Sequence, residues 1–229
     1  MDAVRITDLS KSFRSGAEAR QILNRASLEL GAGESVAIMG PSGSGKSTLL
    51  NIIGTLDKPD GGEVDVFGER PFTLPENALA NFRARHIGFV FQFHHLLPQC
   101  SLLENVLIPS LAAGSRRGDG GETPRARALR LLERSGLAPR MHARPGECSG
   151  GECQRAAVVR ALINAPKLLL ADEPTGSLDA VSSRALVELL RDLQKSERLA
   201  LIVVTHSSDV ARAMDRTLRL QDGALRESP

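Results

Sequence analysis

Residues 40–47 read Gly-Pro-Ser-Gly-Ser-Gly-Lys-Ser and fit the phosphate-binding pattern G-x-x-x-x-G-K-[ST]. They follow a short apolar run at 35–39, typical of a buried strand, and they lead into residues 47–53, which have helical apolar spacing. The phosphate-binding mechanism needs a glycine-rich loop in this position, between a strand and a helix. The stretch therefore predicts an α/β fold built around a site for a nucleoside triphosphate.

Each residue type in this loop has a part in holding phosphate. The glycines let the backbone turn its N–H groups inward around phosphate oxygens, and the N-terminus of the following helix favours negative charge. Lys46 is expected to reach the β- and γ-phosphates, and Ser47 to hold Mg²⁺. The predicted nucleotide contacts are Gly40, Pro41, Ser42, Gly43, Ser44, Gly45, Lys46, Ser47 and Thr48. A glycine-rich turn that matches by chance is the alternative, which the flanking strand and helix disfavour.

A second apolar strand, at residues 167–171, ends in Asp172 and Glu173. These carboxylates would lie at the carboxyl edge of a sheet, where open α/β folds bind ligands. We expect Asp172 to orient the Mg²⁺ shell, usually through water, and Glu173 to polarise the water that attacks phosphorus. Two adjacent acids at a strand end could instead cap a helix. Their combination with the phosphate loop favours the catalytic interpretation.

Ser149, Gly150 and Gly151 lead into a helix with apolar spacing at 156–162, which Pro166 ends. With this stretch the chain resembles the ATP-binding-cassette (ABC) ATPases. In that family the Ser-Gly-Gly signature opens a helix whose N-terminus faces the γ-phosphate bound to the opposite subunit. The resemblance implies ATP with Mg²⁺ as the nucleotide and a second copy of the chain as a partner in an ATP-dependent dimer.

Further motifs of the family follow in order. Gln92 matches the glutamine loop that contacts Mg²⁺ and the attacking water, and residues 177–179 match a loop that contacts the second subunit. His206 follows the apolar strand 201–205 and matches the histidine that contacts the γ-phosphate. A single histidine after a strand is more often structural. The ordered series of motifs favours the functional interpretation.

Adenine recognition departs from the usual family pattern. The chain has no Tyr or Trp, and Phe13 stands where many relatives stack adenine on an aromatic ring. Phe stacks without needing the hydroxyl, although a buried structural Phe13 is the alternative. Cys148 replaces the leucine that usually precedes the signature, and Cys153 replaces a polar residue. The thiols of Cys100, Cys148 and Cys153 lack metal-ligand spacing and are expected to be reduced.

The residues around Gln92 indicate a subfamily. Residues 91–98 read Phe-Gln-Phe-His-His-Leu-Leu-Pro, and together with residues 103–106 they closely resemble the ATP-binding subunits of lipoprotein-releasing systems, the LolD type. Related cassettes for macrolide or peptide export and for cell division share much of this pattern. The resemblance implies that integral membrane subunits dock near residues 93–97. The alternative is that His94 and His95 cap a loop.

Composition limits the remaining interpretations. The chain has 229 residues, 41% of them hydrophobic, which is enough for one α/β core with a smaller attached subdomain. A net charge of +2 argues against a broad nucleic-acid surface, so no nucleic-acid partner is expected. A local basic patch stays open at Arg83, Arg85, Arg116 and Arg117.

The sequence also bears on the membrane. It has no apolar run of the about 18 residues that a membrane-spanning helix needs. Residues 1–5 begin with strand-like residues and do not read as a signal peptide. We therefore expect the chain to bind peripherally at the cytoplasmic face of the inner membrane.

The predicted architecture is a P-loop NTPase core with an antiparallel β flank and an inserted helical signature subdomain. The core is assigned to 1–92 and 156–229, and the helical subdomain to about 93–155, within a single ABC ATPase domain. Inside that insertion we predict a helix opened by a capping box at Ser101, a loop at 114–121 and a helix at 124–134. Strands at 3–7, 26–30 and 63–67 would form the flank. A turn is predicted at Asp222 and Gly223.

Two other function classes fit less well. A soluble cassette acting on DNA or ribosomes would carry either a long coiled coil between phosphate loop and signature or two cassettes in one chain, and this sequence has neither. A nonenzymatic nucleotide-binding module would not need Glu173 and His206.

Overall fold

The computed structural model describes residues 2–15, 18–112 and 121–227. Residues 114–120 of the predicted loop, with Arg116 and Arg117, lie outside the described residues. Within the described residues the strands are β1 (Asp2–Ser15), β2 (Glu18–Gly31), β3 (Ser35–Met39), β4 (Gly61–Val66), β5 (Ile87–Val90), β6 (Leu168–Asp172), β7 (Ala200–Thr205), β8 (Arg216–Gln221) and β9 (Ala224–Glu227). The α-helices in the same residues are α1 (Lys46–Ile53), α2 (Glu76–His86), α3 (Leu102–Ala112), α4 (Pro124–Arg134), α5 (Gly150–Ala161), α6 (Ala180–Ser196) and α7 (Ser208–Arg212).

The strands form two sheets. The larger sheet has the order β5-β6-β7-β3-β8-β9, parallel from β5 to β8, with β9 antiparallel at the edge. The smaller sheet has the antiparallel order β2-β1-β4. The predicted antiparallel flank is therefore confirmed, and its first two strands are longer than predicted because β1 and β2 pair along nearly their whole length.

The large sheet separates two hydrophobic clusters. In β3, Val36 and Ile38 face the cluster shared with α1 and the smaller sheet, whereas Ala37 faces the cluster shared with α3, α4, α5 and α6. All six residues of β7 are buried. A sheet covered on both faces needs strands that are apolar throughout, which explains the uninterrupted apolar runs in the sequence.

Between β5 and β6, α3 begins and α4 begins and ends where the sequence predicts, whereas α5 begins at Gly150, six residues before the predicted apolar stretch. The Ser101 backbone N–H donates to Glu104 (2.7 Å), and the Glu104 N–H donates to the Ser101 hydroxyl (3.2 Å), which confirms the capping box. Helix α4 has the predicted bounds, with Thr123 as its N-cap and Gly136 at φ 68° after its end. Helix α5 runs unbroken across residues 155 and 156, so the division of the chain at that point stays a prediction.

The hairpin between β8 and β9 turns at Asp222 (φ 52°) and Gly223 (φ 78°), as predicted. Both central residues are left-handed, as the turns that fit a twisted two-residue hairpin require. The Gly223 carbonyl accepts a hydrogen bond from the Asn24 N–H (2.9 Å), which joins the hairpin to β2. No helix among the described residues is long and apolar enough to cross a membrane.

A charged network ties α4 to the end of α6. Glu197 accepts hydrogen bonds from Arg127 (2.5 Å) and Arg130 (2.9 Å), and Arg130 also donates to Glu122. The Arg127 and Glu197 side chains are only 9% and 12% exposed. Burial tends to raise the pKa of Glu197, but the hydrogen bond from Arg130 and the charge of Arg127 outweigh it and hold the pKa below its usual value.

Removing Glu197 should therefore destabilise the fold strongly. The Glu197→Ala variant leaves a buried guanidinium short of its main counter-charge, and we expect a loss of about 3 kcal/mol in unfolding free energy. Asp192→Ala is the matched control, because it breaks an ion pair with Arg134 whose carboxylate is exposed, at a cost of about 1 kcal/mol or less. Urea denaturation measures both, and equal losses would contradict the assignment.

Candidate nucleotide-binding site

The phosphate loop has a backbone that only glycine fits at several positions. Gly43 (φ 75°) and Gly45 (φ 100°) are left-handed. A Cβ on Gly45 would lie 2.6 Å from Cγ2 of Ile22, and a Cβ on Gly40 would lie 2.6 Å from the Leu220 carbonyl oxygen. The loop is therefore packed closely against β2 and β8, and it leads directly into α1 at Lys46.

Lys46 and Ser44 are poised to hold an anion. The Lys46 side chain is buried, and its ammonium donates to the carbonyls of Gly40 (2.9 Å) and Pro41 (3.1 Å). Within the part of the chain that the structure describes, Ser44 Oγ is the one buried side-chain oxygen or nitrogen without a hydrogen-bond partner. In those residues the Lys46 ammonium has only neutral partners, and the Ser44 hydroxyl has none. Both groups could therefore bind the phosphate oxygens of a nucleotide.

Ser47 and Asp172 meet at the carboxyl end of β6. The pKa of the Asp172 carboxyl is raised, mainly because burial disfavours its charged form, and the charge of Glu173 adds to this. A hydrogen bond with Ser47 and the charge of Lys46 lower the same pKa but do not outweigh burial. No three His, Cys, Asp or Glu side chains among the described residues cluster as metal ligands. The Ser47 and Asp172 oxygens are the type of ligand that Mg²⁺ takes in nucleotide sites, where phosphate and water complete its shell.

Glu173 is held in an unusual conformation beside His206. Its φ is 44°, a left-handed value that is uncommon for a residue other than glycine, and its N–H donates to the Val204 carbonyl (2.9 Å). One carboxylate oxygen lies 2.9 Å from His206 Nδ1. The His206 side chain is 72% exposed and that of Glu173 only 16%. The structure thus brings these two predicted catalytic residues into direct contact.

Gln92 follows β5 at the same edge of the sheet. Its side chain is exposed, and its carbonyl accepts a hydrogen bond from the Ser177 hydroxyl (3.2 Å). A Cβ on Gly176 would lie 3.0 Å from Gln92 Nε2, so the glycine leaves room for the amide. Residues after β3, β5, β6 and β7 therefore converge at one edge, as parallel strands require.

A cleft of about 330 Å³ lies beside the phosphate loop and extends to Phe13. The cleft is lined by Phe13, Arg20, Ile22, Gly43, Gly45, Lys46, Ser47 and Thr48. Phe13 is 47% exposed, so it is not a core residue, and Lys11 Nζ lies 5.2 Å from the ring centroid. Sequence reasoning missed Lys11, although it stands two residues before Phe13 on the same strand and so shares its face. No sequence motif marks Arg20 or Ile22.

The signature residues do not line that cleft. Ser149 is the N-cap of α5: its hydroxyl accepts from the Glu152 N–H (3.2 Å), and Glu152 accepts from the Ser149 N–H (2.7 Å). A Cβ on Gly151 would lie 3.0 Å from the Ser182 hydroxyl, and one on Gly150 only 3.8 Å from Leu178. One chain therefore brings the phosphate loop, Asp172, Glu173, Gln92 and His206 together and leaves the signature apart.

The two unusual cysteines flank the start of α5. Cys148 precedes the N-cap and Cys153 is the fourth residue of the helix, positions whose apolar side chains pack together at many helix starts. Both belong to the larger hydrophobic cluster or pack against it. Burial raises the pKa of Cys153 to about 11. The described cysteines are free thiols, and their contribution here is packing of the signature helix.

The segment predicted to meet a membrane partner, residues 93–97, is only partly exposed. Phe93 is 63% and Leu97 42% exposed, and His95 is also exposed. The expectation is wrong for Leu96, which is 6% exposed because its side chain packs into the larger cluster. His94 Nδ1 accepts a hydrogen bond from the Leu96 N–H (3.1 Å), a contact within the loop that supports the loop-capping alternative for His94.

Comparison with known proteins gives matches along most of the chain. The family model for ABC transporters matches residues 23–176. The lipoprotein-releasing system ATP-binding protein LolD of Geobacter metallireducens is 49% identical over 218 residues, covering 95% of each chain. LolD of Pseudomonas fluorescens is also 49% identical, over 222 residues, covering 95% of this chain and 94% of its own.

A solved structure matches the fold of the chain as well. A dimeric structure of a post-hydrolysis state of the ATP-binding cassette MJ0796, bound to ADP and Pi, superposes with a TM-score of 0.87 at 40% identity. The alignment covers 98% of this chain and 97% of that one.

The role of His94 predicts a dependence of stability on pH. Burial, then the charges of Arg160 and His95, lower the pKa of His94, so the folded chain favours the neutral imidazole that accepts the Leu96 N–H. The neutral imidazole therefore stabilises the fold fully above the pKa of His94 in the unfolded chain, about 6.5, and this stabilisation is lost as the pH falls below that value. The His94→Gln variant keeps an acceptor that does not titrate. It should lose less stability than the parent chain between pH 7.5 and 5.5.

Urea denaturation at the two pH values measures this difference. The control is His142→Gln, since His142 is exposed, and it should lose as much stability as the parent chain. A His94→Gln variant as pH-sensitive as the parent would contradict the assignment.

Proposed function

The chain belongs to the ABC transporter family, and we propose that it is the ATP-hydrolysing subunit of a complex that releases lipoproteins from the inner membrane. The observation that carries the catalytic part is the contact between Glu173 and His206 at the sheet edge that also presents Lys46. The relatives named above, which match nearly the whole chain, support the lipoprotein-releasing assignment. The cargo does not contact this chain in the proposal.

ATP would bind with its triphosphate in the loop and its adenine near Phe13. Lys46 would turn its ammonium from the loop carbonyls to the β- and γ-phosphates, and the unpaired Ser44 hydroxyl would gain a partner. The exposed face of Phe13 would stack on adenine, with Lys11 near the ring. Ser47, Asp172 and Gln92 would hold Mg²⁺, which would supply positive charge for the β- and γ-phosphate oxygens.

Hydrolysis would depend on Glu173 and His206. Glu173 would orient and polarise the attacking water, and the contact of its carboxylate with His206 Nδ1 supports this role. His206 is largely exposed, so its other ring nitrogen is free to meet a γ-phosphate. The chemistry needs positioned water and fixed positive charge rather than a covalent intermediate.

Two copies would share each ATP. The signature at the start of α5 lies away from the cleft of its own chain, and a helix N-terminus with a Ser-Gly-Gly sequence is suited to a phosphate presented by another molecule. ATP-driven closure of the dimer would move a membrane partner, and hydrolysis would reset it. This role would place the chain at the cytoplasmic face of the inner membrane, where Phe93 and Leu97 offer apolar surface to the membrane subunits.

The Glu173→Gln variant tests the chemistry. The amide keeps the shape of the side chain but cannot accept the proton of water, so steady-state hydrolysis should fall by about 10²-fold or more. ATP binding should persist, and a closed dimer should accumulate on size-exclusion chromatography. Lys46→Ala is the contrasting variant, because loss of its charge should weaken equilibrium ATP binding itself. Near-normal turnover by Glu173→Gln would remove Glu173 from this role.

The Leu97→Glu variant tests the partner surface. A carboxylate at this half-exposed position should prevent an apolar partner from docking, while ATP binding by the isolated chain stays within about twofold. Leu129→Glu is the matched control, because Leu129 is similarly exposed but lies on α4. Leu96→Glu is unsuitable because Leu96 is buried.

Co-purification with the candidate membrane subunit is the measurement. Retained co-purification and retained partner-stimulated hydrolysis for Leu97→Glu would exclude this surface. If Leu129→Glu also lost co-purification and partner-stimulated hydrolysis, the effect of Leu97→Glu would not be specific to the surface around Leu97.

A further inference from the structure

Side chains of α5 bind the backbone on both sides of Gln92. Gln154 Nε2 donates to the carbonyl of Phe91 (2.7 Å). Arg160 donates to the carbonyls of His94 and His95, each at 2.7 Å. The residues before and after Gln92 are therefore held by one helix that begins at the signature.

These contacts restrain a backbone that would otherwise be free to relax. His95 has a φ of 47°, which costs conformational energy in a residue other than glycine and persists only where the surroundings hold it. Gln154 is 1% exposed and so is fixed by packing as well as by its hydrogen bond. Burial lowers the pKa of Arg160, as expected for a cation placed among backbone carbonyls.

Gln92 itself has a further restraint. Its carbonyl accepts from the Ser177 hydroxyl (3.2 Å), and Ser177 belongs to the loop expected to contact the second copy. The carbonyls of Phe91, Gln92, His94 and His95 thus all accept hydrogen bonds from side chains of other elements. The backbone from which the Gln92 side chain extends is therefore held from outside its own loop.

We propose that Arg160 and Gln154 are positioning residues, which make residues 91–95 and helix α5 move as one unit. This proposal rests on the proposed function. A membrane subunit that presses on Phe93 would then shift Gln92 and the signature together. It would move Gln92 in the site of the same chain, and it would move the signature that serves the site of the opposite chain. Arg160 would then link partner docking to both nucleotides.

A purely structural role for Arg160 makes a different prediction. Loss of hydrogen bonds would lower stability and the fraction of active protein, but each properly folded site would turn over ATP normally. A positioning role lowers turnover per site while ATP affinity is kept, because Gln92 rather than the phosphate loop is displaced. The two roles therefore separate in kcat and ATP affinity.

The test compares Arg160→Gln and Arg160→Lys with the parent chain. For Arg160→Gln we expect kcat per ATP-binding site to fall at least about tenfold, because small misplacements of a catalytic group are costly, with the ATP Kd within about twofold. Arg160→Lys keeps the charge but has no fork to reach both carbonyls, so it should recover part of the loss. Arg134→Gln is the control, because Arg134 pairs with Asp192 away from this segment.

Hydrogen exchange of the isolated chain gives a readout that needs no hydrolysis. Amides of residues 92–97 should exchange faster in Arg160→Gln than in the parent chain and should be unchanged in Arg134→Gln. Unchanged exchange, or unchanged kcat per site, overturns the positioning role. If the parent chain does not hydrolyse ATP, the proposed function fails, and the exchange result alone decides whether Arg160 holds the segment. If Arg160→Gln does not fold, Arg160→Lys carries the same measurements.

Discussion

The site depends on the parallel register of β5, β6, β7 and β3, which ends these strands at one edge of one sheet. The register is fixed by burial on both faces, since a shift by one residue would exchange the two hydrophobic clusters. Each strand then delivers its following residue to the same place. Lys46 follows β3 after a loop in which several positions accept only glycine. Glu173 directly follows β6 and has a left-handed backbone conformation.

Charge at this edge is balanced in a way that suits a nucleotide. Lys46 is buried against neutral carbonyls, and Asp172 is a half-buried carboxyl whose pKa is raised by its partial burial. Bringing phosphate and Mg²⁺ together would give each of these groups an opposite charge. Phosphate would also give a partner to the buried Ser44 hydroxyl, which has none among the described residues.

Much of the fold was predictable where the signal is local. Helix α4 was predicted to the residue because Pro124 marks its start and Gly136 its end. Strands buried on both faces were predictable because they are uninterrupted apolar runs. The residue assignments of the site stay predictions in their catalytic roles, but the structure does bring most of them to one edge.

The rest was not predictable because it depends on contacts between distant parts of the chain. Residues 93–97 have no helical or strand periodicity in their apolar positions. The sequence therefore does not indicate that Leu96 is buried while Leu97 is exposed. The same holds for Arg160, which is 66 residues from the His94 carbonyl it binds. Such a contact arises only when α5 packs beside β5.

The central claim is that each ATP is bound between the phosphate loop of one copy and the signature of the other. Mixing Gly151→Asp with Lys46→Ala tests it directly, because a mixed dimer has one site with both faces damaged and one with both intact. Neither variant alone should hydrolyse ATP, since the carboxylate at 151 repels the γ-phosphate and loss of Lys46 weakens binding. Gly151→Asn has the same size without the charge and is the control for crowding against Ser182.

The measurement is the hydrolysis rate of the mixture. Random pairing makes half of the dimers mixed, each with one intact site of two, so the account predicts about a quarter of the unmutated rate if the sites act independently. A mixture no more active than either variant alone would contradict a shared site.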